Sequence, residues 1–170
     1  MAHSFVEIAP TALGDNVFQV IGRDAMLITA GTPASFNTMT ASWGGWGHLW
    51  NRDVTFSFVR PQRHTFDFIE LAEYYSLCFF DTKHQAALDY CGSHSGRDVD
   101  KIAATGLTPV FDATGAIYFT EARLALVCRK LYVQNLTADS FVERGIIGET
   151  YAKADFHRMY VGEIVHCLRA

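Results

Sequence analysis

Short apolar runs, separated by turn-forming residues, recur along most of this chain. Residues 17–21 and 25–30 are two such runs, and the polar segment 22–24 between them predicts a hairpin of two strands. Residues 54–59 alternate apolar and polar side chains for most of their length, as a half-buried strand does. Residues 37–43 are predicted to form a strand between these segments. The first third of the chain is therefore predicted to be mainly β-structure.

Helical patterns appear only in short stretches after that. Pro61 ends the preceding strand, and Thr65 is suited to be the N-cap of a helix over residues 66–74. The other predicted elements are an irregular arm before Gly14, a strand at 75–80, a helix that starts at Asp81 or Thr82 and ends near Gly92, a helix over 99–104 that stops at Gly106, a turn at 112–115, a helical turn at 141–145, and strands at 116–119, 122–135 and 156–168.

This order of elements favours a mainly β (α+β) fold, a β-barrel with short inserted helices, over a βαβ fold. The predicted strand at 122–135 is long enough to bend around a barrel. No repeat, low-complexity tract or linker divides the 170 residues, which suffice for one domain that buries about 70% of its unfolded surface. We therefore expect a single domain over residues 1–170.

The composition argues against several classes of protein. The chain is 49% hydrophobic, 14% aromatic and 19% charged, as a globular protein is. Its net charge of -4 argues against nucleic acid as the main partner. No apolar run approaches the ~20 residues of a transmembrane helix, and no signal peptide is visible. We therefore expect a cytoplasmic protein with no membrane partner.

The cysteines and histidines do not predict a metal or redox-disulfide site. The four cysteines are widely spaced without a Cys-x-x-Cys pair, which fits reduced thiols, and no close His-x-x-x-His pattern occurs. No Gly-x-Gly-x-x-Gly, Walker lysine or Gly-x-Ser-x-Gly motif is present, so Rossmann, P-loop and hydrolase sites are not indicated.

Residues 36–50 carry the strongest chemical signal. An amide and several hydroxyls occupy residues 37–42, and three glycines and three tryptophans follow closely. Buried polar side chains need partners, and glycines let a ligand approach the backbone. The stretch therefore suits a polar, flat aromatic ligand that lies along an extended segment. The alternative is a glycine-rich turn between two strands, with the tryptophans in the core.

Two further polar clusters, residues 60–65 and 93–101, contain three arginines, a lysine, hydroxyls and glycines. Charged donors and backbone N–H groups at loop-to-helix junctions are the groups that hold a phosphate monoester. As an alternative, Arg60 and Arg63 could be surface charges that end a strand. Arg97 could likewise form an ion pair with Asp98 at a helix start.

Taken together, the three clusters resemble the flavin reductase-like, FMN-binding split-barrel family, of the flavoredoxin type. The motifs that carry the resemblance, in the order of the family, are Asn37-Thr38-Met39-Thr40-Ala41-Ser42-Trp43-Gly44, Arg60-Pro61-Gln62-Arg63-His64-Thr65 and Ser95-Gly96-Arg97-Asp98-Val99-Asp100-Lys101. The likeness extends over about residues 18–167. It implies a Greek-key split barrel, a homodimer, and FMN bound non-covalently near the subunit interface.

The resemblance also implies roles for individual residues. Asn37, Thr38, Met39 and Thr40 would follow the ribityl chain and ring edge of the flavin, and Ala41, Ser42 and Trp43 would lie beside the isoalloxazine. Phosphate contacts are expected among Arg60, Arg63, His64 and Thr65 of the second motif and Ser95, Gly96, Arg97 and Lys101 of the third. The phosphate is expected to be held partly by Arg97, with Ser95 and the Gly96 backbone at the start of the short helix. The chain departs from common members through Trp46 and Trp50, which affects the substrate side of the flavin.

The implied function is an NAD(P)H-dependent flavin reductase that passes electrons to free flavin or another acceptor. No catalytic side chain is expected, because hydride transfer needs an open stacking face for a nicotinamide from NADH or NADPH rather than an acid or base. The alternatives are an electron-transfer flavoprotein that serves a protein partner, and a flavin- or haem-binding module without turnover. His157 and Tyr160 could be core or interface residues.

Overall fold

The structure, a computed structural model, describes residues 4–170. Within them the strands are β1 (Val6–Glu7), β2 (Met26–Thr32), β3 (Ser35–Ala41), β4 (Gly44–Leu49), β5 (Arg52–Val59), β6 (Tyr74–Phe79), β7 (Pro109–Phe111), β8 (Ile117–Phe119), β9 (Leu124–Asn135) and β10 (Arg158–Arg169). The helices are α1 (Val17–Val20), α2 (His64–Leu71), α3 (Gln85–Ser93), α4 (Lys101–Thr105) and α5 (Gly145–Thr150), with 3-10 turns at Pro10–Ala12, Thr82–His84 and Ala138–Ser140. None of the described helices has the length and apolar character that crossing a membrane requires.

One antiparallel sheet organises the molecule, with strand order β3-β2-β6-β9-β10-β5-β4 and β1 added beside β10. Its two end strands, β3 and β4, are joined by only Ser42 and Trp43. Because each residue spans at most ~3.6 Å, the two edges of the sheet must meet at this end. The sheet therefore curls into a barrel, which confirms the predicted mainly β fold. Strands β7 and β8 form a separate two-stranded sheet.

The long strands bend at irregular points of pairing. The register between β10 and β9 shifts at Val161/Gly162 and again at Ile164/His166. Such bulges increase the local bend and twist of a strand. A Cβ at Gly162 would lie 2.3 Å from the hydroxyl of Tyr75, so a glycine is needed where that buried tyrosine passes.

Two hydrophobic clusters hold the sheet from opposite faces. Met26 and Ile28 belong to the larger cluster inside the barrel, and Leu27 belongs to a second cluster beneath α3 and β8. Successive side chains of a strand point to opposite faces, so residues 26–28 of β2 are apolar in succession rather than at alternate positions. The four cysteines are free and buried, and burial raises the pKa of Cys78 and of Cys128 to about 12. These thiols are therefore unreactive at neutral pH.

Several sequence-based predictions of elements were wrong. Residues 17–21 are not a strand but helix α1 and its C-cap, and the side chain of Asn16 accepts a hydrogen bond from the Phe18 N–H as the N-cap. Residues 44–49, where a glycine-rich turn was the alternative, form strand β4. The helical turn predicted at 141–145 is instead a helix that begins at Gly145. The remaining predicted strands are present, with boundaries shifted by up to two residues.

Thr65 is not the N-cap of α2. The cap position is Arg63, and Thr65 lies within the first turn of the helix. Its hydroxyl instead accepts a hydrogen bond of 2.7 Å from the Asn37 side-chain amide. The helix is thereby joined to strand β3 rather than capped by its own hydroxyl.

Candidate functional site

Strand β3 is an edge strand, paired with β2 on one side only. The Lys101 ammonium donates to the Thr38 carbonyl, which therefore points to the free edge. Because backbone groups alternate in direction along an antiparallel strand, those of Phe36 and Thr40 point the same way. The free edge of β3 thus offers unpaired backbone groups to the clefts described next.

Three clefts follow this edge. The Trp43 cleft, of about 210 Å³, is lined by Met39, Thr40, Ala41, Ser42, Trp43, Phe58, Arg60, Arg63 and His157. The Lys101 cleft, of about 170 Å³, is lined by Asn37, Gln62, Arg63, His64, Thr65, Gly92, Ser93, His94, Ser95, Gly96 and Lys101. The Pro109 cleft, of about 430 Å³, is lined by Ala34, Ser35, Phe36, Asn37, Thr38, Gly96, Val99, Asp100, Lys101, Ile102 and Pro109.

Lys101 is a buried cation with no acidic partner. Its side chain is in a residue only 5% exposed, and Nζ donates to the carbonyls of Thr38 at 2.8 Å and Cys91 at 2.9 Å. No carboxylate among residues 4–170 lies within 4 Å of it. Burial lowers the pKa of Lys101 to about 8. Since an ammonium has three donors, one remains available to a ligand.

Arg63, which lines both the Trp43 cleft and the Lys101 cleft, is another cation without an acidic partner. Its Nη1 donates to the Gly92 carbonyl at 3.2 Å, whereas its buried Nη2 has no hydrogen-bond partner in the described part of the chain. Burial lowers the pKa of Arg63 as well. Nδ1 of His64 is also buried without a hydrogen bond, although Asp67 Oδ2 lies 3.5 Å away. Burying charges and hydrogen-bond donors without partners costs folding free energy, and a bound anion would offset this cost. The Lys101 cleft, which Arg63 and His64 line, is therefore suited to an anion.

The loop that completes the Lys101 cleft is held by local sequence features. The Asp100 side chain accepts hydrogen bonds of 3.0 Å from the N–H groups of Ile102 and Ala103, so it caps α4 and places Lys101 in the first turn. A Cβ at Gly96 would lie 2.0 Å from Asn37 Oδ1. Only glycine therefore lets the loop pack directly on the β3 side chain.

Arg60, in the Trp43 cleft, differs from Arg63 because its charge is compensated. It forms an ion pair with Asp155 and donates from Nη2 to the Thr150 carbonyl at 3.1 Å. Its guanidinium also lies 5.4 Å from the centroid of the Tyr151 ring, within cation–π range. Arg60 thus holds residues 150–155, which precede β10, against the rim of the Trp43 cleft.

His157 is a cleft residue that the sequence motifs did not select. Its Nδ1 is 2.8 Å from the Tyr151 hydroxyl, and its ring centroid is 5.0 Å from that of Trp43. Burial, together with the positive charge of Arg60, lowers the pKa of His157 to about 4, so the imidazole is neutral at pH 7. No local spacing could have identified it, because His157 reaches the cleft only through the pairing of β10 with β5.

The sequence-predicted residues converge on these clefts, with one exception. Arg97 lines none of the three, because it donates to Asp67 Oδ2 at 2.9 Å and to the Gln62 carbonyl at 3.1 Å, and its side chain is 46% exposed. Its role in phosphate binding stays a prediction. Of the tryptophans, Trp43 lines a cleft, whereas Trp46 packs on Phe79 and Trp50 on Tyr132. Within residues 4–170, no three His, Cys, Asp or Glu side chains are grouped as a metal site requires.

Comparison with known proteins gives a family match and several structural neighbours. The family model described as "Flavin reductase like domain" matches residues 19–170. Flavoredoxin from Methanosarcina acetivorans is 22% identical, with a TM-score of 0.67 over 86% of this chain and 68% of that chain. An FMN-binding protein from Thermus thermophilus, solved with p-hydroxybenzaldehyde, is 21% identical, with a TM-score of 0.68 over 96% and 80%.

A third neighbour is an NADH:FAD oxidoreductase from Streptomyces globisporus, solved in complex with NAD and FAD fragments. It is 15% identical, with a TM-score of 0.65 over 86% of this chain and 74% of that chain. At these identities the likeness establishes a common fold. A search of curated proteins by sequence found no match.

Proposed function

Because this chain belongs to the flavin reductase-like family, we propose that it binds FMN along strand β3 and acts as an NAD(P)H-dependent flavin reductase. Electrons would pass to free flavin or to another acceptor. The observation that carries the proposal is the Lys101 cleft, where two cations without acidic partners adjoin the cleft of Trp43.

The residues present fit a phosphate monoester. Lys101 has one uncommitted donor, Nη2 of Arg63 is buried without a partner, and Ser93 and Ser95 line the same cleft. A dianion would supply the missing countercharge, and hydrogen bonds between charged groups are the strong ones. We therefore assign the phosphate of FMN to the Lys101 cleft.

The ring system of FMN is assigned to the Trp43 cleft. This cleft adjoins the phosphate position through Arg63, which lines both. Residues 37–40 connect the two clefts along β3, because Asn37 lines the Lys101 cleft and Met39 and Thr40 line the Trp43 cleft, and the ribityl chain would run along them. The free-edge backbone groups of Thr40 can bond the polar edge of a flat ring, while Trp43 and Phe58 provide aromatic surface.

Bound FMN would supply the redox chemistry, since it accepts hydride and passes electrons on. The chain's own residues would position the ring and limit the entry of water. The neutral His157, fixed by Tyr151, and the compensated Arg60 make the wall of the Trp43 cleft polar without adding net charge. Trp43 is 48% exposed, so its indole can also contact a nicotinamide placed over the ring.

A homodimer is part of the proposal. Large apolar side chains remain exposed on the subunit, among them Trp43, Trp50 and Tyr132. Exposed apolar surface of this kind commonly marks interfaces. Sedimentation of the FMN-loaded protein should give twice the mass of the chain, and a monomer with FMN still bound would remove this part of the proposal.

The direct test is an anaerobic titration of the FMN-loaded protein with NADH and with NADPH. Loss of the oxidised-flavin absorption with either nicotinamide supports the reductase. The second candidate, an electron carrier that serves a protein partner, is favoured by the half-exposed Trp43, which could instead cover the ring. Reduction by dithionite but by neither nicotinamide would establish the carrier and exclude the reductase. A protein that retains no FMN would exclude both.

A further inference from the structure

We infer that Arg63 distinguishes the reduced from the oxidised flavin and thereby raises the reduction potential of the bound cofactor. This role goes beyond holding the phosphate, and it rests on the proposed binding of FMN. The inference starts from the position of Arg63, which is the residue shared by the Trp43 and Lys101 clefts.

The guanidinium has binding capacity left at this junction. Its Nη1 is fixed by the Gly92 carbonyl at 3.2 Å, which orients the planar group. Its Nη2 is buried and makes no hydrogen bond within residues 4–170. A group with five donors in a rigid plane can contact two acceptors on different sides at once. One edge of Arg63 can therefore serve the phosphate while the other faces the ring.

In the ligand-free protein, Arg63 is also the cation of the Trp43 cleft whose charge is left uncompensated, and a bound phosphate would share that charge with Lys101. The other arginine there, Arg60, is paired with Asp155. No carboxylate of the described chain lies within 4 Å of Arg63. Attraction between charges increases where water is excluded, so an uncompensated cation acts most strongly on a charge that appears beside it.

Reduction creates such a charge. A hydride carries two electrons and one proton from a dihydronicotinamide, which becomes the oxidised nicotinamide, and the neutral ring system that accepts the hydride gains one negative charge. A cation beside the ring therefore favours the reduced state over the oxidised one. If Arg63 makes one charge-assisted bond to that state only, the reduced flavin binds about ten- to hundredfold more tightly relative to the oxidised one. This ratio corresponds to about 30 to 60 mV for a two-electron couple.

The test compares the midpoint potentials of wild type, Arg63→Gln and Arg63→Lys, each loaded with FMN and separately with riboflavin. Riboflavin has no phosphate, so any effect on its potential must come from the ring. We expect Arg63→Gln to lower the potential by about 30 mV or more with riboflavin, and by less with FMN, whose phosphate partly neutralises the charge of Arg63 in the wild type. Arg63→Lys, which keeps the charge, should stay closer to wild type. If Arg63→Gln does not fold, Arg63→Met gives the same comparison with an apolar stem retained.

The outcomes separate the two levels of the proposal. Weaker FMN binding with unchanged potentials, and no effect on riboflavin, would show that Arg63 serves the phosphate alone and would overturn the inference while the proposed function stands. A lowered potential that Arg63→Lys restores would support it. A wild-type protein that binds neither flavin would overturn the proposed function itself.

Discussion

Replacing Lys101 with methionine should separate the binding of phosphate from the binding of the ring. Methionine keeps an unbranched apolar side chain and removes the ammonium that donates to Thr38 and Cys91. Loss of one charge-assisted hydrogen bond costs about 1.5–3 kcal/mol, which is about ten- to more than hundredfold in affinity. We expect Lys101→Met to weaken FMN by this factor at pH 7 and to leave riboflavin much less affected.

The lowered pKa of Lys101 also predicts how stability and FMN affinity change with pH. Burial lowers the pKa of Lys101 from 10.5 to about 8, which corresponds to about 3 kcal/mol. Above pH 8 the ligand-free wild type should therefore gain stability as the pH rises toward 10.5, because the unfolded chain there binds more protons. The affinity for FMN should fall over the same range, because deprotonated Lys101 carries no charge. Lys101→Met should show neither change.

The assay is fluorescence titration of the ligand-free protein with FMN and riboflavin from pH 7 to 10, where the phosphate stays a dianion. Lys130→Met is a matched control, because the Lys130 ammonium also donates to two carbonyls, those of Ile69 and Glu70, but lines none of the three clefts. Equal weakening of FMN and riboflavin by Lys101→Met, or an unchanged pH profile, would refute the assignment of the phosphate to this cleft.

Three further predictions concern other parts of the site. Gly96→Ala should weaken the binding of FMN more than tenfold, because the new Cβ would clash with Asn37. Gly45→Ala, whose Cβ would meet open space, should leave the affinity unchanged, and titration of both variants with FMN measures the difference. Trp46→Ala should lower the free energy of unfolding, measured with urea, by about 3 kcal/mol, because Trp46 packs on the core. Trp43→Ala should mainly change the rate at which a nicotinamide reduces the flavin, because Trp43 lines the cleft. Between pH 6.5 and 4 the unfolded wild type binds a proton at His157 that the folded protein does not, so the wild type should lose about 3 kcal/mol of unfolding free energy as the pH falls through this range. His157→Gln should not show this loss, and equal acid unfolding of both proteins would contradict the prediction.

Local patterns predicted most of the strands, and they selected residues that the structure brings to the three clefts. Strand β5 follows from alternation, and the end of helix α4 follows from Gly106, which adopts the left-handed conformation there. The predicted start of α4 at residue 99 was two residues early, because Asp100 is its N-cap. The polar residues of β3 also stand out in the sequence, because an edge strand beside a cleft carries side chains that a core strand would not. Patterns of this kind depend only on neighbours in the chain.

What the sequence did not predict depends on contacts between distant residues. Residues 17–20 are mainly apolar and suit a strand by composition, but the Asn16 cap makes them a helix. The Asn16 side chain is the one local feature that indicates this helix. His157 joins the Trp43 cleft through sheet pairing. The role of Arg97 in binding the phosphate stays a prediction, but the sequence did not indicate that Asp67, thirty residues away in the chain, would bind its guanidinium. Such competition for one cation is visible only in three dimensions.

The position of β10 in the sheet order has a consequence for how the protein is made. This strand, which is synthesised after the other described strands, lies between β9 and β5. Until it is synthesised, the half formed by β3, β2, β6 and β9 has no hydrogen-bonded connection to the hairpin of β5 and β4. The Trp43 cleft contains residues of both halves and His157, so the nascent chain would complete its ligand site only after β10 is inserted. Cofactor loading is thus expected to follow the synthesis of β10, and an arrested chain that ends before residue 158 should expose unpaired edges of β9 and β5 that are prone to aggregation.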